Sequence, residues 1–128
     1  MKTIGIIGGL AWQSSAELYR IINELVNKKL GGQHSAKCVM YSVDLDPILI
    51  LRDEGKWEEL ADIIEDAIKR VETAGADFTV IVSNTMHKTY EDMLPLVKQP
   101  ILHIGDVTAG EIKRRGYKKV GLLGTRFT

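Results

Sequence analysis

The sequence predicts an α/β fold, a parallel sheet of about four strands flanked by helices. Three observations carry this. Short apolar runs alternate with stretches of helical spacing along the chain. The run from Phe78 to Val82 is apolar except for Thr79, as suits a strand covered on both faces, and glycine or small polar residues follow the strand ends. Strands alternating with helices make βαβ units, whose strands lie parallel.

Taken in order, Thr3 to Ile7 is an apolar run ending in Gly8-Gly9, a buried strand followed by a tight turn. Ser14 and Glu17 have the S-x-x-E spacing of a capping box, and Leu18, Ile21, Ile22, Leu25 and Val26 then repeat at helical spacing as far as Lys28, Lys29 and Gly31. Lys37 to Val43 is rich in strand formers, and the segment from Asp44 to Gly55 shows no clear period and reads as an irregular loop. Trp57, Leu60, Ala61, Ile64, Ile68 and Val71 mark one face of a helix with Lys69 and Arg70 in its last turns and Gly75 beyond it. A strand at Phe78 to Val82 stops at Ser83-Asn84-Thr85, and a shorter helix is expected from about Met86 to Leu94, before Pro95. Ile101 to Ile104 reads as a fourth strand, with His103 as a core histidine within it. A helix capped by Asp106 or Thr108 then runs to about Arg115.

The last apolar run, Val120 to Leu123, echoes the first. Gly121-Leu122-Leu123-Gly124-Thr125 resembles Gly5-Ile6-Ile7-Gly8-Gly9, as if a second copy of the unit began there. The expected division is residues 1–116 as one α/β domain and 117–128 as the start of another. A terminal strand without a following helix leaves a sheet face to be covered by further chain or by a partner.

Composition excludes several functions. The 128 residues are 45% hydrophobic and 27% charged, a globular profile with material for a real core. Seventeen basic residues balance seventeen acidic ones, so there is no positive field for nucleic acid or an anionic membrane. The apolar runs fall short of a membrane span, and MKTIGIIGGL lacks a signal peptide's long apolar core, which leads us to expect a cytoplasmic protein. The one cysteine, Cys38, has no partner for an internal disulfide and reads as a buried, inert thiol; no Cys/His cluster has zinc-ligand spacing, so no metal is expected.

In parallel sheets ligands bind beyond the carboxyl ends of the strands, which directs attention to Gly8 to Gln13, Asp44 to Arg52, Ser83 to Thr85 and Gly105 to Asp106. A dinucleotide fingerprint would need glycine where Ile7 and Leu10 stand, so that motif fails. Ser83-Asn84-Thr85 groups three small hydrogen-bonding side chains where a buried strand opens, a spot suited to a carboxylate and equally to capping the next helix. Arg52 reads as a solvated charge or as a guanidinium reaching a ligand carboxylate. Asp44 and Asp46, flanking a residue before Pro47, favour a turn over an acid/base pair; His87 reads as decoration on its helix, Trp12 as a candidate pocket wall, and Trp57 as a core anchor.

Five segments together resemble the aspartate/glutamate racemase family, amino-acid racemases that need no pyridoxal phosphate. They are MKTIGIIGGLAWQSSAELYRIIN, LRDEGKW around Arg52, AGADFTVIVSNTMHK, PILHIGDVTAG and GLLGTRFT, in the family's order and spanning the chain. The resemblance implies two similar α/β domains facing each other across an active-site cleft, no cofactor, an acidic amino acid as substrate and a tendency to dimerise. It implies that this chain supplies the first domain and the first strand of the second.

The chemistry implied needs two opposed groups, because inverting an α-carbon requires removing hydrogen on one face and delivering a proton on the other. The family's usual bases are thiolates. By resemblance the first-domain catalytic residue is Ser83, where the usual residue is cysteine, and a hydroxyl is a far weaker acid than a thiol of free pKa about 8.5. The family has a branch with a hydroxyl residue here that works asymmetrically with its remaining cysteine; an engineered replacement would read the same. The resemblance assigns Asn84 and Thr85 to the substrate carboxylate, Arg52 to the acidic substrate, and Leu10 and Thr125 to the cleft wall. The rival reading is a module that binds a small dicarboxylate without chemistry; a third is an interaction fragment whose terminal strand pairs with another chain.

Overall fold

A computed structural model describes residues 1–128. Its sheet has three parallel strands in the order β2-β1-β3: β1 (Ile4–Gly8) lies between β2 (Cys38–Ser42) and β3 (Phe78–Ile81). The registers run Ile4 beside Cys38 on one side and Ile4 beside Phe78 on the other. The expected fourth strand at Ile101 to Ile104 shrinks to one parallel bridge, Thr79 to Ile101. Its chain turns away at once because His103 starts α5 (Ile104–Arg114) and is that helix's cap, not a core strand residue. The cap is His103 itself, its Nδ1 accepting from the Gly105 amide at 3.1 Å, in place of Asp106 or Thr108.

The core sits between the sheet and α3 (Trp57–Thr73). Leu60, Ala61, Ile64, Ala67, Ile68 and Val71 are buried at helical spacing against Ile7 and Ile81. Burying each large aliphatic side chain contributes roughly 1.5–3 kcal/mol. Ile6 is equally buried but lies outside this cluster, on the other face, as the two-residue period of a strand requires.

Several elements differ from the sequence expectation. The segment after Asp44 is a helix, α2 (Leu45–Asp53), not a loop. Asp44 caps it by accepting from the Asp46 amide at 3.4 Å, Pro47 falls in the tolerant first turn, and Ile48 and Leu51, three apart, face the core. α1 (Trp12–Leu30) begins ahead of the expected capping box, which does not form. Ser15 instead turns its hydroxyl inward and accepts from the Gly9 amide at 3.0 Å. The helix expected from Met86 is a composite of a 3-10 turn (Thr85–Thr89), α4 (Tyr90–Met93) and a second 3-10 turn (Leu94–Leu96). Cys38 is half-buried at the start of an edge strand.

Val120 to Leu123 forms no strand, and Leu123 is 96% exposed. A strand's backbone groups need a neighbour, and no backbone hydrogen bond joins this run to another segment.

Thr79, wholly buried in β3, has a hydroxyl without a hydrogen-bond partner. Thr79→Val removes that polar atom at nearly constant shape and is expected to stabilise the chain by about 1 kcal/mol. Thermal melting checks this; a lower midpoint would contradict it.

Candidate functional site

The carboxyl end of β3 opens into a cavity of about 520 Å³, within the range of small-molecule sites. Ser83, Asn84 and Thr85 lie on its wall together with Leu10, from the turn after β1, and Thr125, from the terminal segment. Five of the six site residues expected from sequence therefore meet around one space. Much of the remaining lining is aliphatic, with Leu18 of α1 and Ile104 and Val107 of α5.

Local backbone chemistry sets the polar wall. Val82 donates its amide to Ile7 O at 2.9 Å, holding the end of β3 to the central strand before the chain leaves the sheet. The Ser83 hydroxyl accepts from the Met86 amide at 3.3 Å, so it caps the 3-10 turn. Asn84 is exposed, and the Thr85 hydroxyl lies 3.2 Å from that of Thr125. Thr125 Oγ1 also accepts from the Phe127 amide at 3.3 Å. The terminal segment is held against the domain beyond this point. The Phe127 ring meets Trp57 edge-on at 5.0 Å, and Lys88 Nζ sits 4.0 Å above the Trp57 ring. Trp57 thus anchors this clasp as well as packing on the core.

Arg52 is not brought into the cavity wall. It stands in the last turn of α2, where its Nε donates to Asp53 Oδ1 at 2.9 Å and its terminal nitrogen lies 2.7 Å from the same oxygen. Trp12 is 68% exposed and borders a separate shallow groove with Tyr19, Cys38 and Met40. Asp44 serves as a helix cap, accepting from the Asp46 amide, and Asp46 lies in the first turn of α2.

Sequence reasoning missed His87. It is 8% exposed, its Nδ1 lies 2.7 Å from Ser83 O, and its Nε2 accepts from the Ile104 amide at 3.3 Å. Burial, reinforced by nearby His103, pushes its pKa below the usual histidine value, against the pull of the Ser83 carbonyl. A histidine four residues after a strand-end serine, on a short helical turn, was the available signal.

No group of three or more His, Cys, Asp or Glu residues is arranged to hold a metal ion, and no helix is long and apolar enough to cross a membrane.

Comparison with known proteins gives consistent matches. A family model described as Asp/Glu/Hydantoin racemase matches residues 7–128. The chain is 27% identical over 126 residues to RacX of Bacillus subtilis, a broad specificity amino-acid racemase, covering 98% of this chain and 55% of that protein. Among solved structures, a Yersinia pestis protein described as a candidate Asp/Glu racemase superposes with a TM-score of 0.94 at 45% identity, covering 100% of this chain and 56% of that one. An aspartate racemase homologue from Pyrococcus horikoshii gives 0.83 at 31% identity, covering 91% and 50%. The chain spans about half the length of these relatives.

Proposed function

The chain belongs to the Asp/Glu/hydantoin racemase family, and from that premise we propose that it supplies one wall of an amino-acid racemase that works without a cofactor on aspartate or glutamate. The observation that carries this reading is the meeting of Ser83, Asn84, Thr85, Leu10 and Thr125 around one cavity. In this reading the opposing proton carrier comes from a second domain beginning near residue 117.

The roles follow from what each group can do. The Asn84 amide and the Thr85 and Thr125 hydroxyls donate hydrogen bonds to the substrate α-carboxylate, spreading the charge that builds as the α-hydrogen leaves. Leu10 keeps water from that face. Ser83 faces the α-carbon, but its hydroxyl has only the Met86 amide as a partner, a donor that does not take its proton. Ser83 is therefore better suited to deliver a proton than to remove one, and the stronger base is on the other wall. Arg52, whose side chain is 25% exposed, binds the side-chain carboxylate by exchanging it for Asp53, a partner 65% exposed.

Two-dimensional NMR of the chain titrated with L- and D-aspartate tests this reading. The Ser83 to Thr85 amides are expected to shift, Arg52→Ala to weaken binding about tenfold or more, and the α-hydrogen to resist exchange with deuterium. Sustained exchange by the chain alone would overturn the two-wall mechanism. Undiminished binding by Arg52→Ala would remove Arg52 from it.

The unactivated Ser83 hydroxyl also favours a second reading, a module that holds a small dicarboxylate without chemistry. Binding that persists while a full-length protein carrying these residues shows no turnover selects it. In either reading we place the protein in the cytoplasm as a dimer. The exposed Ile21 and Leu25, four residues apart on α1, offer an apolar face for the second copy, and sedimentation reads its presence.

A further inference from the structure

Four polar side chains are buried. Ser15 and Thr89 satisfy backbone groups close by in sequence, and Thr79 has no partner. His87 alone joins two separate elements that both line the cavity. We propose that His87 is a positioning residue, a neutral imidazole protonated on Nδ1 that fastens the Ser83–Thr85 turn to the start of α5. The inference rests on the reading that this turn receives the substrate.

The two hydrogen bonds specify the same tautomer independently. A carbonyl oxygen only accepts, so the Nδ1 that lies 2.7 Å from Ser83 O carries the hydrogen. A backbone amide only donates, so the Nε2 facing the Ile104 amide at 3.3 Å holds a lone pair. Adding a second proton would set N–H against N–H and break the link to α5. Three elements face the ring: the Ser83 carbonyl beyond β3, the Ile104 amide of α5, and His103, whose ring stands edge-on at 4.6 Å. Tyr90 of α4 packs on the far side of His103 at 4.7 Å. The Nδ1 of His103 in turn accepts from the Gly105 amide at 3.1 Å.

The geometry has a directional consequence. Ser83 O belongs to the peptide plane that leads into Asn84, so fixing that oxygen fixes the Cα from which the Asn84 side chain departs. Ile104 contributes an apolar side chain to the wall of the same cavity. Because the folded-state pKa of His87 lies below its unfolded value, the unfolded chain takes up the proton first as pH falls. The contribution of the link is complete above about pH 6.5 and declines as pH drops through the folded-state value.

Long-range proton–nitrogen correlation spectra of the histidine-labelled chain test the proposal. The expected result is a neutral Nδ1–H ring for His87. Its titration midpoint should lie below 6.5 and be shared by the amides of Ser83, Asn84, Thr85 and Ile104. An Nε2–H ring, or amides that ignore that midpoint, would overturn it. His87→Phe keeps the bulk without either hydrogen bond and should weaken aspartate binding about tenfold, whereas His87→Asn keeps a donor for Ser83 O and should recover part of it. Equal losses in the two variants would reduce His87 to packing and overturn the proposal. If His87→Phe does not fold, the titration of the unaltered chain still decides. If unaltered protein binds no aspartate, the racemase reading fails while the tautomer and shared midpoint decide the strut on their own.

Discussion

Gly9→Ala lowers the unfolding free energy by about 3 kcal/mol or more, a large part of what a domain of this size possesses. Gly9 follows β1 with φ +82, and a Cβ there would lie 2.1 Å from Val43 O and 2.6 Å from Val43 N. Both are backbone atoms, so no side-chain rotation relieves the clash. The Val43 amide donates to Gly8 O at 3.0 Å, so moving it aside pulls apart the end of the β1–β2 pairing. The same shift displaces the Gly9 amide from the Ser15 hydroxyl and with it the start of α1. Gly75 is the internal control. Its φ is +92, yet nothing lies within 4 Å of an added Cβ, so Gly75→Ala keeps only the conformational cost of about 1 kcal/mol. Urea denaturation followed by circular dichroism measures both. Equal losses would show that close approach to Val43 has no role.

Ser83→Cys raises α-hydrogen exchange about a hundredfold or more in a full-length protein carrying these residues. The substitution changes one atom at a position already facing the cavity, and Met86 N–H remains to stabilise a thiolate as it now contacts the hydroxyl. A thiol of free pKa about 8.5 is partly ionised near neutrality, which a serine hydroxyl is not. The gain should therefore fall with decreasing pH as the thiolate is lost. Deuterium incorporation into each enantiomer, followed by NMR, reads the effect. The larger gain is expected for whichever enantiomer presents its α-hydrogen to residue 83. No gain for either would remove Ser83 from the proton path.

The fold class was legible because β1, α3 and β3 advertise themselves. Their apolar residues recur with the period of the element, and glycine or small polar residues stop them. α2 was hidden because Ile48, Leu49, Ile50 and Leu51 form an unbroken apolar run, and Asp46-Pro47 resembles a turn until Asp44 is seen capping the helix. Ile101 to Ile104 was overread because an apolar run says nothing about how soon a cap will start the next helix, and here His103 does so. The polar wall at Ser83, Asn84 and Thr85 followed from its place at a strand end. Arg52 did not join it, since helix α2 carries its guanidinium to the adjacent Asp53, a pairing that residue spacing alone does not choose. His87 was missed for a related reason. Its two partners, Ser83 O and Ile104 N, are backbone atoms, so apart from the spacing to Ser83 no partner side chain marks it.

The unpaired run Val120 to Leu123 also bears on how copies of the chain behave in a crowded solution. Such a stretch invites β-stacking between molecules, yet Lys118 and Lys119 stand just before it and Arg126 just after. These flanking cations act as gatekeepers: two such runs approaching in parallel bring like charges together, so colloidal sticking is discouraged. A neighbouring strand with neutral or acidic flanks meets no such repulsion.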